Sequence, residues 1–200
     1  MDTTALFNIS YGLYVLTAKE DDKDNGCIIN TLIQQTSSPL KVSVTVNKVN
    51  KTHDMIKNTG VFNVSMISEN APFSLFEHFG FQSGKDVDKF ENFYNSERAE
   101  NGVYYIPGYT NAYISCKVEQ EVDLGTHTMF IALVTDAHTL SDFKSMTYSY
   151  YHANVKPKPQ SDNKKGYRCK ICGYVYEGEP LPEDFVCPLC KHGAEDFEKI

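Results

Sequence analysis

The sequence predicts a mainly β protein, a closed or split β-barrel with a few short helices, followed by a small metal-bound module. Three observations predict it. Six segments between residues 11 and 137 alternate apolar and polar side chains, or run as short apolar stretches rich in β-branched and aromatic residues. Helical signals are few. Near the C-terminus stand two Cys-x-x-Cys pairs, Cys169 with Cys172 and Cys187 with Cys190. Four thiolates from two such turns form a tetrahedral S4 cage, which suits iron or zinc.

The elements follow in order. Residues 11–19 alternate loosely, and residues 27–33 are nearly continuous apolar with Asn30 and Thr31 inserted. Leu40, Val42, Val44 and Val46 alternate strictly with polar neighbours, so one face is buried and the other is wet. Residues 61–67, 112–124 and 128–137 continue the strand pattern. A helix is expected over residues 51–58, stopped by Gly60, and another near residues 72–79. Six strands at this density suggest a barrel. Residues 154–166 hold two prolines, four lysines and only Val155 as a large apolar residue, which reads as a linker, part stiff and part flexible. The expected division is a barrel over residues 1–153, a linker over 154–166 and a metal module over 167–200.

Two hundred residues with 41% hydrophobic content fit one mid-sized domain and one small one. No apolar run reaches membrane-span length, and the segment after Met1 has no basic flank and apolar stretch of a leader. With four of six cysteines assigned to metal, Cys27 and Cys116 remain as thiols suited to a reducing cytoplasm, and both lie on apolar strands as core residues. A net charge of −7 argues against nucleic acid. The charge is uneven: 11 basic and 18 acidic side chains before residue 154, four and one in the linker, four and seven after it. An acidic module steers encounters with oppositely charged partners.

Two segments of the barrel carry candidate chemistry. Residues 47–53 follow a strand and open a helix, so free backbone N–H groups and the positive helix end face one place. Asn47, Asn50, Lys51 and Thr52 complete an anion site there, unless Asn50 or Thr52 simply caps the helix. Residues 30–39 interrupt an apolar strand with polar groups, Asn30, Thr31, Gln34, Thr36 and Ser37, before Pro39. Such a wall suits a flat heteroaromatic ring with polar edges, and an edge strand with a polar loop has the same pattern. His53 is read as a helix-surface residue near the anion site.

The C-terminal residues Tyr167, Cys169, Cys172, Gly173, Tyr174 and Tyr176, then Pro182, Glu183, Asp184, Phe185, Cys187, Pro188, Cys190 and a late Phe197, resemble a rubredoxin. Fourteen residues separate Cys172 from Cys187, a shorter middle than in free-standing members, and Lys191 stands where the family usually has Gly. The resemblance implies one iron held by Cys169, Cys172, Cys187 and Cys190. The run from Gly26 to Asn30 and Thr31, then Thr36, Ser37, Ser38 and Pro39, then residues 47–52 and 60–65, resembles the flavin reductase-like, FMN-binding split-barrel family. That likeness implies FMN held by the residues of both segments. Gly125, Thr126 and His127 stand where the family tends to have Gly-Asp-His, which implies that His127 lines the nicotinamide side of the pocket.

The order of the two modules is similar to that of the high-molecular-weight rubredoxins of anaerobic bacteria. That family implies NAD(P)H as donor, FMN, one iron, a flavodiiron oxygen or nitric oxide reductase as acceptor, and a homodimer. Two other readings fit the residues: a protein-to-protein electron carrier without nicotinamide activity, and a flavin reductase carrying a structural zinc ribbon.

Overall fold

The computed structural model describes residues 3–157, 166–170, 174–187 and 193–200. The chain divides into two compact units, Met1–Val155 and Lys156–Ile200. Among the described residues no helix is long and apolar enough to cross a membrane.

The first unit is mainly β. Its strands are β1 (Tyr14–Glu20), β2 (Lys23–Ile29), β3 (Ile33–Ser37), β4 (Leu40–Asn47), β5 (Val61–Ile67), the short β6 (Glu97–Arg98) and β7 (Tyr104–Tyr105), then the long pair β8 (Thr110–Asp123) and β9 (His127–Thr139). Helices α1 (Lys51–Thr59) and α2 (Phe73–Gly80) interrupt them, and a short α3 (Tyr148–Tyr150) follows. Seven strands form one antiparallel sheet in the order β2-β1-β5-β8-β9-β4-β3.

That order places consecutive strands β2 and β3 at opposite edges. From Ile29 to Ile33 there are only four Cα steps, a reach of about 14 Å. The sheet therefore curls until its two edges nearly meet, and residues 30–32 cross the seam. Thr31 fastens the crossing: its hydroxyl donates to the Thr45 carbonyl at 2.7 Å and accepts from the Thr45 N–H at 3.1 Å.

Alternation explains the core. Leu16, Ala18, Val42, Val44, Val46, Phe62, Val64, Phe130 and Ala132 point inward from four strands, and Met55 and Ile56 of α1 join them. Strand β1 is buried on both faces, since Leu13 and Val15 pack on α2 through Leu75, Phe76 and Phe79. Helix α1 ends at Gly60, whose φ of 70° supplies the left-handed turn and whose N–H donates to the Ile56 carbonyl.

The expected strand over residues 27–33 is corrected: it is two strands, broken at the seam. The apolar run ends because Asn30 and Thr31 must leave one edge and reach the other. Strand β3 is exposed along its whole length, as an edge strand is. The second unit has a three-stranded sheet, β11 (Val175–Tyr176), β10 (Tyr167–Cys169) and β12 (Phe197–Lys199) in that order. Most of the expected linker lies outside the described residues.

Candidate functional site

Strand β4 leads into the candidate anion loop. The Asn47 side chain accepts from the Val49 N–H at 3.0 Å, and the Asn50 N–H donates to the Asn47 carbonyl at 3.0 Å, which turns the chain into α1. Asn50 stands at the N-cap with extended backbone, φ −76° and ψ 133°, but its side chain makes no capping hydrogen bond. Thr52 does not cap either. It is fully buried, and its hydroxyl accepts from the Asn25 amide at 3.1 Å. The first turn of α1 thus keeps donors for another acceptor.

Neighbouring segments frame this loop. In the β4–β9 register Asn47 faces His127. The Lys48 N–H donates to the Thr126 carbonyl at 3.0 Å, and its ammonium pairs with Asp123 at 2.7 Å. That lysine, with the Gly125 N–H, holds the Asp123 carboxyl below its ordinary range. His127 is half-buried, with Nδ1 2.8 Å from the Thr126 hydroxyl. Residues 47–52 and His127 therefore lie together.

The other predicted residues are distributed along the seam and the edge. Asn30 is half-buried just past β2. Thr31 is committed to β4. Gln34, Thr36 and Ser37 are exposed on β3; the Gln34 amide donates to the Thr36 carbonyl at 3.4 Å, and the Thr36 hydroxyl bonds the Pro39 carbonyl. His53 corrects the sequence reading. It is buried, with Nε2 2.8 Å from the Thr128 hydroxyl, Nδ1 2.9 Å from Asp54 and its ring 5.6 Å from that of Phe130. A polar residue at that helix position reads as surface because sequence does not show Thr128 waiting on β9.

A pocket of about 230 Å³ opens beside the first turn of α1 and includes Lys51, the one predicted flavin residue that lines it. Lys23, Asn25, Gly84 and Lys85 also line it, and the sequence reading passed over all four. A Gly-Lys pair in a polar loop carries no signal that β2 and α1 fold against it. A second pocket, about 330 Å³, lies on β5, β8 and β9 around Ser115 and Asp136, and none of the predicted residues line it. The two inner cysteines are core residues: Cys27 and Cys116 are buried, which pushes both thiols up, Cys116 to about 12.

In the second unit Cys169 ends β10 and Cys187 follows Phe185 and Val186; both cysteines are buried. The Cys169 N–H donates to the Tyr174 carbonyl at 2.8 Å, and Cys169 faces Phe197 across the β10–β12 register. Phe185 sits at the centre of an aromatic cluster, 4.7 Å from Tyr176 and 5.3 Å from Phe197 between ring centres. Cys172 and Cys190 lie outside the described residues. Two buried thiols in an aromatic shell that limits water fit a thiolate-bound metal.

Comparison with known proteins gives the class that this fold serves, a flavin-dependent oxidoreductase with a rubredoxin-like tail. Residues 6–158 match the model of the flavin reductase like domain, and residues 167–198 match that of the rubrerythrin, rubredoxin-like domain. The chain belongs to the flavin reductase-like family and carries a rubredoxin-like domain at its C-terminal end. It is 39% identical to the high molecular weight rubredoxin of Moorella thermoacetica, with all of both chains covered. It is 37% identical to the ferric-chelate reductase (NAD(P)H) of Archaeoglobus fulgidus, over 79% of this chain and 93% of that protein. The NADH:FAD oxidoreductase SgcE6 of Streptomyces globisporus C-1027 shares the fold of the first unit, with a TM-score of 0.65 at 22% identity over 73% of this chain and 86% of that one. The pairing of the two domains supports flavin-linked electron transfer.

Proposed function

We propose that the protein takes electrons from NAD(P)H at an FMN in the first unit and passes them to an iron in the second, which reduces a partner such as a flavodiiron oxygen or nitric oxide reductase. The observation that carries this reading is the presence of both family domains in one chain. Bound flavin supplies the exchange between two-electron hydride chemistry and single-electron transfer.

The chain's own residues supply position and charge. Asn47, Asn50, Lys51 and Thr52 form the phosphate end, where the N–H groups of α1 stand uncapped. Asn30 and Thr31 at the seam, with Gln34, Thr36 and Ser37 beyond, border the ring system. His127, in register with Asn47, faces the nicotinamide side. Cys169, Cys172, Cys187 and Cys190 hold the iron, with Phe185 between it and water. Residues 154–166 connect the units.

A homodimer fits the outer sheet face. Ile33, Ile131, Met129 and Val122 share that face through paired registers, and Ile33 is 57% exposed. The same reading places the protein in the cytoplasm with protein and small-molecule partners, and the net charge of −7 argues against nucleic acid.

The test is the absorption spectrum and metal content of protein purified under anaerobic conditions. A flavin band over a ferric-thiolate band, with one iron per chain, supports the reading. Stoichiometric zinc and no iron contradicts it, and leaves a flavin reductase with a structural ribbon.

A further inference from the structure

Residues 119–126, at the end of the β8–β9 hairpin, are all exposed, so no core packing fixes them. The β4–β9 ladder pairs His127 with Asn47, and Thr128, one position later, is the first buried side chain at that end. Alternation along β9 turns Thr128 inward and His127 the other way. The placement of His127 therefore depends on what holds Thr128.

His53 holds it. This residue stands in the first turn of α1, is buried and lines neither of the pockets above. Its backbone N–H donates to the Asn50 carbonyl at 3.1 Å, which joins it to the loop after β4. Its ring packs on Phe130, with Nε2 2.8 Å from the Thr128 hydroxyl and Nδ1 2.9 Å from an Asp54 oxygen. A carboxylate only accepts, so Nδ1 carries a proton and Nε2 is left to the hydroxyl.

Hydroxyl, imidazole and carboxylate in one row have the order of a nucleophile relay. Here Thr128 is 4% exposed and lines neither pocket, so the row is not built to meet a substrate. What it does is join two elements. One imidazole spans the interval between the start of α1 and the start of β9, with bonds of fixed direction at both nitrogens.

We propose that His53 is a positioning residue for the reaction beside His127. Through Thr128 it sets the distance between residues 47–52 and His127, and Asp54 fixes the orientation of its ring. The inference rests on the nicotinamide reading of His127 above and adds His53, Asp54 and Thr128 to it. A shift of about 1 Å near a reacting group can cost about a hundredfold in rate, so a partly loosened anchor should cost about three- to tenfold.

The test uses the full chain. His53→Phe keeps a ring and removes both side-chain hydrogen bonds, while Thr128→Val removes the hydroxyl alone. Nitrogen-15 NMR of the flavin-free protein should show the His53 imidazole protonated at Nδ1, its signal lost in His53→Phe and shifted in Thr128→Val. Rapid mixing of the flavin-loaded protein with NADH or NADPH should show limiting flavin reduction slowed about three- to tenfold in each variant. The double variant should be no slower than the slower single one, because both changes cut the same link. In a His127→Gln background, His53→Phe should slow the reaction no further. A His53 ring protonated at Nε2 alone overturns the row. Limiting reduction within about twofold of wild type, with only the urea midpoint lowered, overturns the positioning role and leaves a packing residue. Slowing that multiplies with His127→Gln overturns it as well, since His53 then acts elsewhere. Wild-type flavin that neither nucleotide reduces overturns the nicotinamide reading, and the positioning role with it.

Discussion

Lys89 offers the sharpest test of how the first unit is held together. It is 2% exposed, and its ammonium donates to the carbonyls of Gly26 at 2.8 Å and Phe79 at 2.9 Å. It thereby ties the segment after α2 to β2 and to the end of α2. The tie is reinforced by His78, whose Nε2 lies 2.6 Å from the Lys89 carbonyl and whose ring stacks on Phe93 at 4.7 Å. Lys89→Met keeps the volume and removes both hydrogen bonds. Charge-assisted hydrogen bonds contribute about 1.5–3 kcal/mol each, and relief of the buried charge offsets part of that. A net loss of about 2–4 kcal/mol follows, or roughly 5–15 °C in Tm for a unit of this size.

The substitution also has a pH signature. Burial lowers the Lys89 pKa below its ordinary value, and the neighbouring Cys27 sulfur acts more weakly in the opposite direction. The unfolded chain then binds more protons than the folded one in the window between the lowered value and the unfolded value near 10.5. Wild-type stability should therefore rise with pH across that window relative to Lys89→Met. The assay is urea unfolding followed by tyrosine fluorescence, since the chain has 13 tyrosines and no tryptophan. A variant within 0.5 kcal/mol of wild type, roughly the ordinary surface-mutation range, with no difference in pH slope, would refute the reasoning.

Phe130→Ala empties the middle of the core, where Phe130 is fully buried against His53; a loss of about 3–5 kcal/mol is expected in the same unfolding assay. Cys187→Ser should abolish stoichiometric iron while the first unit retains its flavin uptake and its unfolding midpoint, which metal analysis and denaturation together will read. His127→Gln should slow flavin reduction by nicotinamide by about tenfold in rapid mixing while leaving FMN affinity within about twofold, as a residue on the donor side of the ring should.

Much of this was legible in the sequence for a physical reason. Strict alternation marks Val42, Val44 and Val46 as inward-facing, and the same period carries residues 61–67, where β5 begins and ends as expected. Gly60 marked the end of α1 because a left-handed turn favours glycine. The break at residues 30–32 was hidden, because an apolar run looks alike whether it crosses a seam or continues as one strand. Edge strand β3 was legible as one of two readings of residues 30–39, an edge strand with a polar loop, but its bounds were not, since exposure on an edge removes the alternation. His53 and Lys89 are polar residues buried by partners distant in sequence, Thr128 for one and the Gly26 and Phe79 carbonyls for the other. Local pattern contains no trace of such partners. The pocket residues Lys23, Asn25, Gly84 and Lys85 come together from two separate segments for the same reason.

The central claim is that nicotinamide, flavin and iron form one electron path. Anaerobic titration of the full-length protein with NADH or NADPH, followed across the flavin and ferric-thiolate bands, tests it most directly. Flavin takes two electrons and the iron one, so complete bleaching of both bands at about 1.5 equivalents per chain is the expected result. A flavin band that bleaches while the ferric band persists, or a flavin band that never bleaches with either nucleotide, would contradict the account.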